Sequence, residues 1–305
     1  MGTVVNILDR WRKELRRTFA GQSETVPQWE LDLENGDDAG YFAPDSAVWA
    51  VHGSMTAHVA GPRALLTQTL HPGALAGVHD FSDFRTDFLG RLARTIRWIF
   101  TVTYGDTSAA QASCNGIRQL HERIRGTYLD AGGNERTYSA NDPHLLRWVH
   151  LTFTDAFLTA YQNYGRTIPG GADRYVAEWA TAGELMGVMD PPRSEAELRR
   201  QLESFLPELA RSAPLGEAVR AISHPPLPRS QRLGYRILFA AAVETLPLEY
   251  RRLLGFKDRA PLPVRLLVKP ATAVVLGIVR LGLSKVGPSE AAARRRIARV
   301  SQQNA

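Results

Sequence analysis

The chain has 305 residues, 44% of them hydrophobic and 22% charged, which is enough apolar material to bury a substantial core. Its single cysteine, Cys114, excludes an internal disulfide framework and any cysteine-cluster metal site, and fits a reducing, cytoplasmic compartment. The net charge of +6 is unevenly placed: from residue 251 onward twelve Lys or Arg stand against Asp258 and Glu290, a net of +10, leaving −4 for residues 1–250.

Residues 4–19 put Val4, Ile7, Leu8, Trp11, Leu15 and Phe19 on one stripe and Arg10, Lys13, Arg16 and Arg17 on the others. This predicts a basic amphipathic helix that either packs on the body of the protein or lies on a membrane surface. The same stretch has no uninterrupted apolar core, so no signal peptide is expected. The acidic, glycine-rich run at 34–40 reads as a loop, and the chain divides into residues 1–40, a helical domain over 41–260, and an apolar helix with a basic tail over 261–305.

A helical pattern resumes at Asp45. Gly61-Pro62 is expected to interrupt it, with Pro62 opening a new helix through Leu65, Leu66 and Leu70 that runs out at His71-Pro72. A short apolar helix follows, with His79 near its end. His52, His58, His71 and His79 all fall in this region without the spacing that puts two ligands on one helical face, so no helix-borne metal pair is expected.

Residues 91–100, RLARTIRWIF, have the apolar positions of a buried helix, yet Arg91 and Thr95 sit four apart on one of its faces. Burying a guanidinium alone is costly, so Arg91 requires an anionic partner, water or a ligand. The ordinary reading is a structural anchor; the functional one is a wall of a cofactor pocket. Asp106 or Thr107 then caps a helix predicted to continue to Gly126, with Ala110, Cys114, Ile117, His121, Ile124 and Tyr128 on one face. His121 is the polar ring on that stripe. The polar run after Gly126 makes a loop or short hairpin, and Asp142-Pro143 supplies a cap and a first-turn proline for the next helix. That helix carries Leu146, Val149, His150, Phe153, Phe157 and Tyr161 on one face; Asp155, beside it, needs an arginine or a donor if buried.

A further helix closes at Gly187, and Ser194 with Glu197 forms a capping box. Residues 214–229, rich in proline, are predicted to loop over the surface. Shorter helices follow, then an apolar stretch in 269–285 too short to span a bilayer and expected to pack on the body, and a basic tail expected to be partly disordered. No extended β-ladder is predicted. The fold class is all-α, a single multi-helix globular domain.

Several pieces in order, LLTQTLHPGALAGV, F-x-x-D-x-x-G-R-L-x-R-T from Phe84 to Thr95, Gly105-Asp106, R-x-L-H-x-R-I-x-G from Arg118 to Gly126, and YSANDPHLLRWVHLTFTDAFLTAYQNYG, resemble the catalytic domain shared by the rubber oxygenases (latex-clearing proteins) and the MpaB-type oxygenases. The resemblance covers about residues 51–191. It implies a helical domain holding haem b, with His121 as the axial iron ligand and Arg91 and Thr95 on the opposite, distal side. Those enzymes can place a lysine just before that threonine, where this chain has Arg94. Arginine stays charged and is a poor iron ligand, so a resting state with that residue on iron is not carried over, and Arg94 is expected only to contribute to cofactor binding. The acid assigned as a base in rubber cleavage has no equivalent before His79, so polyisoprene cleavage is not carried over. The resemblance implies a haem-dependent oxygenase or related oxidoreductase, taking a hydrophobic small molecule with dioxygen or peroxide and using Arg91, Thr95 and His150 around the reacting centre. The alternative is a non-catalytic haem or lipid carrier. The basic ends offer peripheral membrane contact, whereas nucleic-acid binding is disfavoured because no aromatic–basic interleaving accompanies the charge.

Overall fold

A computed structural model describes residues 26–81, 87–259, 261–282 and 286–303, so the expected N-terminal amphipathic helix lies outside the described residues. Among them are fourteen α-helices and one two-stranded hairpin. In chain order these are α1 (Gln28–Leu31), α2 (Ala47–His52), α3 (Ala57–Gln68), α4 (Pro72–Phe81), α5 (Phe88–Tyr104), α6 (Thr107–His121), β1 (Arg125–Leu129), β2 (Glu135–Ser139), α7 (Pro143–Tyr164), α8 (Gly171–Met186), α9 (Glu195–Ser204), α10 (Leu215–Ser223), α11 (Arg229–Glu244), α12 (Leu248–Leu254), α13 (Leu262–Gly282) and α14 (Pro288–Gln303).

The axis of the bundle is α7. Asp142 caps it by accepting from the His144 amide at 2.8 Å, and Pro143 occupies the first turn, where no amide is needed. Its long run of buried residues, among them Trp148, Leu151, Phe157 and Leu158, is covered by α3, α8 and α9. The acid foreseen as needing a cation finds one: Arg63 of α3 pairs with Asp155, locking the two most closely packed helices together. Ser194 accepts from the Glu197 amide at 3.2 Å, one half of the expected capping box, while the Glu197 carboxylate accepts from the Arg193 amide at 2.8 Å in place of the Ser194 amide. Gly187 ends α8 with φ of 89°, a conformation glycine adopts at little cost.

Four expectations are corrected. Pro62 lies inside an unbroken α3, which gives up one backbone hydrogen bond but remains buried against α7. The helix carrying His121 ends at that residue, so Ile124 and Tyr128 leave it; Ile124 accepts from the Ala140 amide at 2.9 Å, Arg125–Leu129 pairs antiparallel with Glu135–Ser139, and both side chains pack around Tyr138. Within the proline-rich segment, Leu215, Ala218 and Ile222 recur at helical spacing and are buried as one face of α10. The basic tail is ordered as α14.

Arg296 explains that last difference. Fully buried, it donates to the carbonyls of Leu33, Asp38 at 3.0 Å, Ala39 at 3.5 Å and Tyr104 at 2.7 Å, with Asp38 and Asp106 as the nearest countercharges. It thereby ties α14 to residues 33–40 and to the corner between α5 and α6. The loop lies hard against that corner: a Cβ on Gly40, at φ of 81°, would fall 2.2 Å from the Gly105 carbonyl oxygen, and Asp38 accepts from the Thr107 amide at 2.9 Å. Replacing Arg296 with alanine leaves these buried carbonyls without donors. We expect R296A to lose about 3 kcal/mol or more of unfolding free energy in urea titrations, whereas an exposed arginine such as Arg200 should cost under about 0.5 kcal/mol.

Candidate functional site

Helix α5 runs into the Gly105-Asp106 corner and α6 runs back from it, the two packing along each other. Asp106 caps α6 by accepting from the Ala109 amide at 2.8 Å. Near the corner the pair is sealed: its buried residues are Ile99, Val102, Thr103 and Tyr104 on α5 and Ala110 and Cys114 on α6. Trp98 stands beside Cys114 where that seal ends. Seven residues beyond each, two turns farther from the corner, come Arg91 and His121, which an antiparallel pair brings to the same level. Leu92, Ile96 and Ile117, although apolar, are only half-buried here. The interface opens where the sequence places its chemistry.

Nδ1 of His121 and Nε1 of Trp98 are buried without a hydrogen bond of good geometry, although Asn141 lies beside the first and Cys114 beside the second, and Arg91 has no ion-pair or hydrogen-bond partner among the described residues. On α7, Nε of Arg147 and Nε2 of His150 are buried without a hydrogen bond. Burial lowers the Arg91 pKa, reinforced by the positive charge of Arg94. His121 is likewise lowered by burial, partly offset by the side chain of Asn141, whose Oδ1 is also buried without a partner and whose Nδ2 donates to the Arg118 carbonyl at 2.8 Å. The neutral ring therefore dominates at pH 7, the form a metal ligand needs.

His150, on α7, rests on the backbone of α8: a Cβ at Gly183 would meet its Cε1 at 2.9 Å. One turn along each helix, a Cβ at Gly187 would touch Leu146 at 4.0 Å and the Arg118 guanidinium at 3.9 Å. The glycine face of α8 thus brings α6 and α7 together. Full burial lowers the His150 pKa to about 4, so it is a neutral hydrogen-bonding group and not an imidazolium at pH 7. The other residues inferred from the sequence are placed differently. Arg94 is exposed and pairs with Asp87 at 3.3 Å, and Thr95 is exposed with its hydroxyl donating to the Arg91 carbonyl at 3.2 Å. Phe84 of the same motif lies outside the described residues.

The family model described as ER-bound oxygenase mpaB/B'/Rubber oxygenase, catalytic domain, matches residues 49–276. The chain belongs to this family of oxygenase catalytic domains. No curated protein and no solved structure matches it. The mpaB/rubber oxygenase match begins in α2 and ends in α13, so the four helices α5–α8 lie wholly within the catalytic domain, while α14 and Arg296 lie beyond it.

A second histidine cluster was not legible in the sequence. His71, His144 and Glu208 come together from three separate segments: Glu208 accepts from His71 Nε2 at 3.2 Å and from His144 Nε2 at 2.7 Å, and the His144 ring stacks on Phe205 with centroids 4.5 Å apart. Their donor atoms lie within 4.8 Å of one another, close enough to hold an ion. The tautomer argues otherwise. His71 Nδ1 caps α4, accepting from the amides of Gly73 at 3.1 Å and Ala74 at 3.4 Å, so its proton sits on Nε2 and points at Glu208. Metal ligation through Nε2 would demand an imidazolate. The cluster reads as a carboxylate bridging two histidines and pinning the starts of α4 and α7.

Two measurements follow. Adding zinc or a chelator should shift the thermal midpoint by less than about 2 °C, because His71 cannot become a ligand without losing its cap; a large zinc-dependent rise abolished by His144→Ala would contradict this. Buried neutral histidines also make stability pH-dependent. His52, hydrogen-bonded to Thr103 and Tyr175, is lowered to about 3 and His150 to about 4, both below the unfolded value of 6.5. As pH falls below 6.5 the unfolded chain takes up protons that the folded one refuses. Unfolding free energy should drop by about 1.4 kcal/mol per pH unit for each of them, and urea titrations at successive pH values should find the slope reduced in His150→Gln.

Proposed function

We propose that the chain is a haem b-dependent oxygenase acting on a hydrophobic small molecule, with dioxygen or peroxide as co-substrate and His121 as the axial iron ligand. The observation that carries this reading is the opening between α5 and α6, where the apolar Leu92, Ile96 and Ile117 are only half-buried, His121 Nδ1 is buried without a hydrogen bond of good geometry, and Arg91 has no partner among the described residues. Membership of an oxygenase catalytic-domain family supports it.

The residues suit a flat, dianionic cofactor. A helical imidazole held neutral by burial supplies an iron ligand, half-buried Leu92, Ile96 and Ile117 offer apolar surface to a macrocycle, and arginines without carboxylates suit its propionates. When bound, haem would supply the redox chemistry of oxygen activation. The chain's own groups divide the remaining work. Asn141 Oδ1, beside His121, would accept a hydrogen bond from Nδ1–H, leaving Nε2 as the ligand atom. Arg91, buried beside Arg94, would gain most from an anionic partner, and Arg94 with Thr95 would meet the cofactor's outer edge. His150, neutral at pH 7, would accept or donate one hydrogen bond without carrying charge into the pocket, and the apolar side chains would keep water from the reacting centre while orienting a lipophilic substrate.

Protein purified from haem-supplemented cells should show a Soret band and consume dioxygen or peroxide when offered lipophilic alkenes. His121→Ala should remove the band, and Arg91→Ala should weaken haem retention by about tenfold, the loss of one charge-assisted pair. A colourless protein, or a spectrum untouched by His121→Ala, would sink the haem assignment; bound haem with no turnover would sink the oxygenase one.

A further inference from the structure

Helix α13 has an outward face that is apolar and exposed along its length. Its inner side is set by Thr272, Leu276 and Val279, all buried, and it packs on α11, with Gly234 against Val275. At about 100° per residue, the opposite side over an arc of about 140° carries Leu266, Leu267, Val274, Ile278 and Leu281 and no charged residue. These five side chains are between 47% and 78% exposed. Pro270, Ala273 and Gly277 fill the gaps between them and are exposed too. A continuous apolar strip along a helix of 21 residues is far more than the isolated surface leucines of an ordinary soluble domain.

Charge decides what covers it. Lys269 and Arg280 line one flank of the strip, exposed and without ion-pair partners among the described residues, and α13 carries no acidic residue at all. The surrounding sequence is basic in the same sense, with the net +10 from residue 251 onward. A second copy of this face would meet these cations with no countercharge, whereas an anionic lipid surface meets both the apolar strip and the basic flank. No helix among the described residues is long and apolar enough to cross a membrane, so α13 would lie in the plane of the interface and not span it.

We propose that the outward face of α13 docks the protein on an anionic membrane surface, with Leu267, Val274, Ile278 and Leu281 in the acyl boundary and Lys269 and Arg280 among the headgroups. This does not rest on the haem assignment: it follows from α13 alone. It places a surface of the catalytic domain, not only the chain's basic ends, against lipid, where lipophilic molecules are concentrated.

The test is sedimentation of the full chain with vesicles of phosphatidylcholine and phosphatidylserine at about 3:1, beside vesicles of phosphatidylcholine alone. Binding should be at least about tenfold tighter to the anionic vesicles and weaken as salt rises. L267D/I278D places charge on an already exposed face, so its circular dichroism and thermal midpoint should match the parent while vesicle affinity falls about tenfold or more. K269E/R280E should lose the preference for anionic lipid. Three results overturn the proposal. The first is unchanged vesicle binding by L267D/I278D, and the second is binding abolished only by removing residues 1–25. The third is no vesicle binding but a concentration-dependent dimer that L267D/I278D dissociates, which would make a second copy the occupant.

Discussion

The geometry of the protein depends on one buried guanidinium. Arg296, from a helix outside the family's catalytic domain, reaches the corner where α5 turns into α6 and binds the carbonyl of Tyr104 together with three carbonyls of the loop at 33–39. A buried charge is tolerated only when its donors are satisfied, and here four backbone acceptors and two nearby carboxylates satisfy it. The result fixes the end of the helix pair that is sealed. Whatever the pair does at its other end, where Arg91 and His121 stand, it does as two arms hinged on a corner that the first and last described segments hold in place.

The two histidine clusters then separate by the state of their nitrogens. Around Glu208 every ring nitrogen with a structural duty is occupied: His71 caps a helix with one and donates to the carboxylate with the other. The reverse holds elsewhere: on α6, His121 Nδ1 is buried without a hydrogen bond of good geometry, on α7, His150 Nε2 is buried unpaired, and on α5, Arg91 has no acid among the described residues. Unpaired buried polar atoms cost stability, typically about 1–3 kcal/mol each. His52, by contrast, is buried with both ring nitrogens bonded.

What could be read from the sequence was local chemistry. Ser194 as a cap, Asp142 with Pro143, Asp106 as a cap, and the need of Asp155 for a cation all follow from short spacings or from the cost of a buried charge, and each stands as expected. What could not be read depended on residues far apart in the chain. Nothing near Arg296 signals that it is buried, because its acceptors are some 190 to 260 residues away. Nothing near Glu208 announces His71 or His144. The helix of His121 was extended too far because Ile124 and Tyr128 continue its apolar spacing, and pairing with Glu135–Ser139 overrides that pattern. Of the candidate site, the motif residues on α5 and α6 were legible, but not that Arg94 and Thr95 turn outward or that α8 uses glycines to bring in His150 and Arg118.

The central claim is that the α5–α6 opening, and not the Glu208 cluster, is the cofactor site. Haemin titration of full-length protein prepared without haem, followed at the Soret band with the His121→Ala and His144→Ala variants alongside, tests it most directly. The account predicts saturation at about one haemin per chain, unchanged by His144→Ala and weakened by about tenfold or more by His121→Ala. Equal binding by His121→Ala, or binding lost with His144→Ala, would contradict it.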